Sequence, residues 1–271
     1  MTIFTSLLFT QVLVLAACLF NNFLDRKVSA FPASAAVFRR QPIGRITSLD
    51  RSKLEPVQDE NFYSQPNLVT HTDDAFIQSL QKLYTERLSD NDMILDIMSS
   101  HVSHLPSNIS FRRVDLHGMN PKELQANPAR KATEGIAHIR DLNENPSLIG
   151  LYDDSSIYDA VLCCVGVQYL QEPETVFAEV ARILKPGGTL IVSFTNRFFY
   201  QKAIRGWVER GMKERARLVQ DYFRAAGGFE EEIEIVGDGR SVWAQLKSIG
   251  GVAGDPFVAV VARRVQIKGE E

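Results

Sequence analysis

The chain has 271 residues, 45% of them hydrophobic and 23% charged, which is enough apolar material for one sizeable core or two small ones. A net charge of −3 excludes a global field that would draw it onto nucleic acid. Three cysteines (Cys18, Cys163, Cys164) exclude a disulfide framework. Cys163 and Cys164 are neighbours in a strand pattern, so they should face opposite sides of a sheet as buried thiols.

The run from Ile3 to Phe20 carries no charge and is broken only by Thr5, Ser6, Thr10 and Gln11. Its length suits a signal peptide or a single membrane anchor. Val28-Ser29-Ala30 is a small-residue cleavage pattern. Lys27, Arg39, Arg40 and Arg45 then occur with no acid before Asp50, a transit-peptide composition. A signal peptide leading into a transit peptide resembles the two-part presequence of algae with complex plastids. Phe31 takes the position of the phenylalanine that follows the cleavage site there. The expected organisation is residues 1–30 as signal peptide or anchor, 31–60 as transit peptide or linker, and 61–271 as a soluble domain. Plastid import is the destination this implies; secretion or membrane anchoring is the alternative.

Apolar residues at Phe76, Ile77, Leu80, Leu83, Tyr84 and Leu88 predict a helix capped by Thr72 or Asp73. Strands are predicted at 93–97, near 109–116 and at 136–140. Asn120 and Glu123 read as a capping box for a helix over 121–127. A strongly apolar strand at 158–167 precedes a helix opened by Pro173 and closed by Gly187. Another strand covers 189–194, a long helix about 199–225, and two strands near 231–236 and 257–263 finish the chain. Alternating strands and helices predict an α/β fold with a mainly parallel, doubly wound sheet and an antiparallel element at one edge. Ligands in such a sheet sit beyond the carboxyl ends of the strands, near the switch point.

Tyr158-Asp159, Pro173, Arg182-Ile183-Leu184-Lys185-Pro186-Gly187-Gly188 and the strand Leu190 to Phe194 carry a family resemblance. Together they resemble the second half of a class I S-adenosylmethionine-dependent methyltransferase of the type 11 kind. "LDIMSSHVSHLP", "HGMN" and "VGVQYLQEPE" are similar to a plant, algal and cyanobacterial subgroup of such proteins. The resemblance implies a Rossmann-like seven-stranded sheet, S-adenosylmethionine as cofactor and a small-molecule acceptor. It also implies a cofactor site at Asp96, Ser99, Ser100, Gly118, Met119, Asp141, Leu142 and Cys164. Gln168, Tyr169, Asn196 and Arg197 would line the acceptor side.

The chain departs from the family pattern in two places. Met98, Ser100 and Val102 occupy the positions of a Gly-x-Gly-x-Gly loop, and β-branched valine resists positive φ. Gly118 stands where an acid would bind the ribose hydroxyls. Asp141 matches the acid that hydrogen-bonds the adenine amino group. His101 and His104 are candidates for a general base or for local hydrogen bonding, and no metal site is expected; the segment of His71, Asp73 and Asp74 suits either closure over the site or helix capping. Arg197 suits an acidic substrate or a salt bridge. The basic residues of the long helix suit a solvated face or a docking surface. No catalytic residue is assigned from sequence. The main expectation is a methyltransferase. Its rival is a catalytically inactive binding or assembly module, with a plastid protein as possible partner. A nicotinamide-linked oxidoreductase is disfavoured by the missing Gly-x-Gly-x-x-Gly and ribose acid.

Overall fold

A computed structural model describes residues 46–55, 58–152, 156–237 and 254–266. The expected signal or anchor segment, and most of the transit segment, lie outside these residues. The helices described are α1 (Asp59–Phe62), α2 (Asp74–Arg87), α3 (Pro121–Ala126), α4 (Pro128–Thr133), α5 (Pro173–Ile183), α6 (Arg205–Val208) and α7 (Met212–Ala226). The strands are β1 (Met93–Asp96), β2 (Arg113–Gly118), β3 (Ala137–Ile139), β4 (Tyr158–Cys164), β5 (Leu184–Phe194), β6 (Glu234–Val236) and β7 (Val258–Arg263).

These strands form one seven-stranded sheet in the order β3-β2-β1-β4-β5-β7-β6. The first five pair in parallel, and β7 runs antiparallel to both β5 and β6. This is the expected Rossmann-like α/β architecture with its antiparallel edge. Side-chain alternation builds two cores. Leu95, Val161, Cys163, Leu190 and Val192 face α5 and α7, while Ile94, Ala160, Leu162 and Ile191 face α2. Cys163 and Cys164 accordingly pack against opposite cores as free thiols. Each fully buried Leu, Ile, Val or Phe side chain contributes about 1.5–3 kcal/mol.

Several elements differ from the sequence expectation. Helix α5 ends at Ile183, with Leu184 already extended, and Gly187 (φ +76°) lies inside β5. There the Gly187 amide donates to Arg264 O at 3.0 Å, so strand pairing begins earlier than the helix-stop reading allowed. The long helix is broken into α6 and α7. The amides of Arg205 and Gly206 donate to Ser52 O and Asp50 O, both at 2.8 Å. A Cβ at Gly206 would stand 3.0 Å from the Asp50 side chain, so tertiary contact holds this turn apart from α7. Strand β2 begins at Arg113 and includes Gly118, and α4 was not anticipated.

Part of the segment read as linker packs on the domain. Arg51 pairs with Glu174 at 2.6 Å, Lys53 bridges to Ile204, and Asp59 is 7% exposed.

Candidate active site

Strand order reverses between β1 and β4: the chain moves outward through β2 and β3 on one side and through β5 on the other. A crevice is expected beyond the carboxyl ends of β1 and β4. A cavity of about 600 Å³ lies there, inside the roughly 300–1,000 Å³ range of small-molecule pockets. Its walls come from the segments that follow β1 to β5, and residues 59–72 form a roof.

The floor is the loop after β1. It turns at Met98, whose φ is +55°, while Ser100 and Val102 avoid the left-handed region. The expected conflict at valine therefore does not arise, because an unbranched side chain takes the strained position. Asp96, 3% exposed, accepts a 2.6 Å hydrogen bond from Ser99 Oγ. Burial pushes its carboxyl up to about 6, opposed by hydrogen bonds from Ser99 and Ser103. The Ser99 amide donates to His117 O at 2.8 Å, which draws the loop down over the end of β2. A Cβ on Gly118 would come within 2.5 Å of Ser99 O. The glycine in the ribose-acid position is thus a steric requirement of this loop path. Met98 packs over Gly166, where an added Cβ would meet Met98 Cβ at 2.8 Å. The cavity remains open above Ser99 and Asp141, both of which line it.

Gly118, Met119, Asp141, Leu142 and Cys164 all line the cavity. Asp141 Oδ1 accepts from the Asn143 amide at 2.8 Å, a local Asx turn. No hydrogen bond from the described residues reaches its Oδ2. Burial pushes the Cys164 thiol up to about 12, so it stays protonated.

On the acceptor side, Tyr169 lines the cavity and its hydroxyl accepts from the Phe199 amide at 2.9 Å. Phe199 stacks on Tyr169 and meets Phe62 and His71 edge to face. Arg197 lines the rim and is ion-paired with Asp255 at 2.6 Å. Gln168 and Asn196 are not brought to the cavity. Gln168 is 1% exposed and turned inward, with Nε2 donating to Val165 O at 2.7 Å. Asn196 is exposed and does not line the cavity. His71, His101 and His104 all line the cavity. Partial burial lowers His71 and His104, so both are neutral bases at pH 7. Burial also holds His117 at about 4.

Sequence reasoning missed the residues that fasten roof and floor. Asp59 accepts from Lys53 Nζ and from Asn143 Nδ2 (2.9 Å), with Lys202 Nζ at 3.4 Å. Asn120 Nδ2 donates to Tyr63 O and Ser64 O at 2.9 and 3.2 Å. Asn127, fully buried, donates to Ser100 O (3.1 Å) and Ser103 Oγ (2.9 Å). The expected capping box is half present. Asn120 Oδ1 accepts from the Lys122 and Glu123 amides, but the Glu123 carboxylate turns away into the cavity. The Asn-Pro pair at 127–128 was the available signal for Asn127 and α4.

Residues 100–192 match the family model described as a methyltransferase domain. No curated protein sequence matches the chain. Among solved structures, the chain is similar to the [4+2]-cyclase SpnF at 17% identity and TM-score 0.49, over 77% of this chain and 92% of that one. A chain in the complex of the Haloferax volcanii Trm112 methyltransferase activator with a methyltransferase matches at 17% identity and TM-score 0.48, over 71% and 92%. An S-adenosylmethionine-dependent methyltransferase of Thermotoga maritima matches at 18% and 0.47, over 70% and 89%.

Proposed function

We propose that this chain is an S-adenosylmethionine-dependent methyltransferase acting on a small-molecule acceptor. The carrying observation is the cavity at the switch point, in which Asp141 presents an open carboxylate oxygen. The family match over residues 100–192 supports the same reading. The residues present fit the cofactor. Asp141 keeps one carboxylate oxygen without a hydrogen bond among the described residues, an acceptor for an amino group on the ligand. Four carboxylates (Asp59, Asp96, Glu123, Asp141) face two arginines (Arg140, Arg197) in the lining, which favours a cationic ligand. In this reading Asp141 and Leu142 hold the adenine, Gly118 and Met119 lie under the ribose, and Asp96, Ser99, Ser100 and Cys164 border the amino-acid end.

When bound, S-adenosylmethionine supplies an already activated methyl group. The chain's own contribution is positioning and exclusion of water. The aromatic wall of Phe62, Tyr169 and Phe199 holds the acceptor, and the roof over 59–72 covers it. Neutral imidazoles at His71 and His104 stand ready to take a proton from an acceptor that must lose one.

Calorimetric titration of the full chain with S-adenosylmethionine and S-adenosylhomocysteine tests this. Micromolar binding that weakens at least tenfold in Asp141→Ala is the expected result. Absence of binding up to millimolar ligand, on folded protein, favours the inactive-module reading. That reading draws on the glycine-free loop and on Met98 packed at Gly166.

The resemblance of the presequence motifs supports a plastid location through residues 1–60, and the subgroup resemblance agrees with it. Among the described residues no helix is long and apolar enough to cross a membrane. A fluorescent fusion of residues 1–60 that stays in the secretory pathway would overturn the plastid assignment.

A further inference from the structure

We infer that the Glu123 carboxylate binds the vicinal ribose hydroxyls of the nucleoside cofactor, a role that no side chain at the end of β2 can fill. The inference rests on the methyl-donor reading above. Strand order places the ribose. Asp141 follows β3 and Ser99 and Ser100 follow β1, with β2 between them. A ligand with its base at Asp141 and its amino-acid end over Ser99 therefore crosses the end of β2 at its sugar.

A vicinal diol offers two O–H donors. An ionised carboxylate, acceptor-only with about four lone-pair sites, takes both. Gly118 has no room for a side chain because Ser99 O stands 2.5 Å from the place of its Cβ. Asp115 is wholly buried, held by Arg113 at 2.7 Å and Tyr158 Oη at 2.6 Å. Of the four cavity carboxylates, Asp59 is bound by Lys53 and lies close to Lys202. Asp96 sits beneath Ser99, and Asp141 belongs to the base.

Glu123 is left, on the first turn of α3 directly after β2. Its Oε1 accepts from the Asn67 amide of the roof at 2.6 Å, and its Oε2 accepts from Ser100 Oγ at 2.6 Å. These two bonds hold the carboxylate at the wall of the cavity that Gly118 and Met119 also line, and occupy two of its acceptor sites. The side chain that sequence spacing assigned to a capping box is instead fastened between roof and floor, with acceptor capacity to spare.

The test is calorimetry on the full chain with S-adenosylhomocysteine and with its 3′-deoxyadenosyl counterpart, in wild type, Glu123→Gln, Glu123→Asp and Asp141→Asn. The wild type is expected to prefer the ribose form about 10- to 100-fold, the range of one or two charge-assisted hydrogen bonds. Glu123→Gln, isosteric and able to keep the Asn67 bond, should bring that ratio to about threefold or less. Glu123→Asp, one methylene shorter, should also reduce it. Asp141→Asn should weaken both ligands and leave the ratio intact. If the wild type does not discriminate, or Glu123→Gln and Glu123→Asp keep the full ratio while binding persists, the assignment to Glu123 is wrong and the cofactor reading stands. If folded wild type binds neither ligand, both fall together.

Discussion

Asp96 sits under a serine hydroxyl at the end of β1, almost wholly out of water, and desolvation outweighs its two hydrogen bonds. Its folded value of about 6 lies above the unfolded carboxylate value of 3.8, so the native state holds its proton more tightly. The sign follows: its favourable contribution is fully present below about pH 4 and is lost as pH rises through 6. At pH 7 the ionised, buried group costs on the order of 3 kcal/mol. Asp96→Asn should therefore gain stability relative to wild type between pH 4 and 6 and hold that gain above 6. Urea denaturation at a series of pH values measures this, and a pH-independent difference would contradict it. The same ionisation favours a cationic ligand, so a site that costs stability is suited to binding. Asp96 was readable from the sequence because the family resemblance places an acid directly after the apolar run 93–95. Its raised pKa was not, because desolvation depends on what packs above it.

At the scale of elements, the loop after β1 owes its shape to a residue outside it. Asn127 caps α4 through Oδ1, which accepts from the Ala129 amide at 3.1 Å. Its Nδ2 holds Ser100 O and Ser103 Oγ. Asn127→Ala removes a helix cap and leaves buried acceptors unpaired. The expected cost is about 2–4 kcal/mol, with faster amide exchange across 98–104. Denaturation midpoints and hydrogen exchange would check both; unchanged exchange in that loop would show that it holds its shape without Asn127. Element type was largely evident from apolar spacing. The splitting of the long helix at α6 and α7 was not. Its cause is the pairing of Arg205 and Gly206 with residues 50–52, more than 150 positions earlier in the chain.

For the whole molecule, residues 50–55 and 58–62 act as part of the domain. Asp59 joins this segment to the C-terminal half through Lys202, 0% exposed, and to the loop after β3 through Asn143. Removing the carboxylate from two buried ammonium groups is expected to cost about 3–5 kcal/mol. Asp59→Ala should lower the denaturation midpoint at unchanged m-value and loosen the roof over 59–72. A loss below 1 kcal/mol would mean that the segment is only laid against the surface.

The sequence by itself determined the strand-helix alternation, the two-faced sheet and the positions after strands where a ligand could sit, because apolar periodicity and turn residues are local properties. Through the family resemblance it also pointed to Asp96, Ser99, Gly118 and Asp141, all of which line the cavity. Only the tertiary structure decided that Gly118 is glycine because Ser99 O crowds it, that Gln168 turns inward, and that Glu123 leaves its capping role for the cavity. The Gly118 and Glu123 outcomes depend on contacts between segments distant in sequence, and Gln168 turns inward on a bond to Val165 O that apolar spacing does not signal.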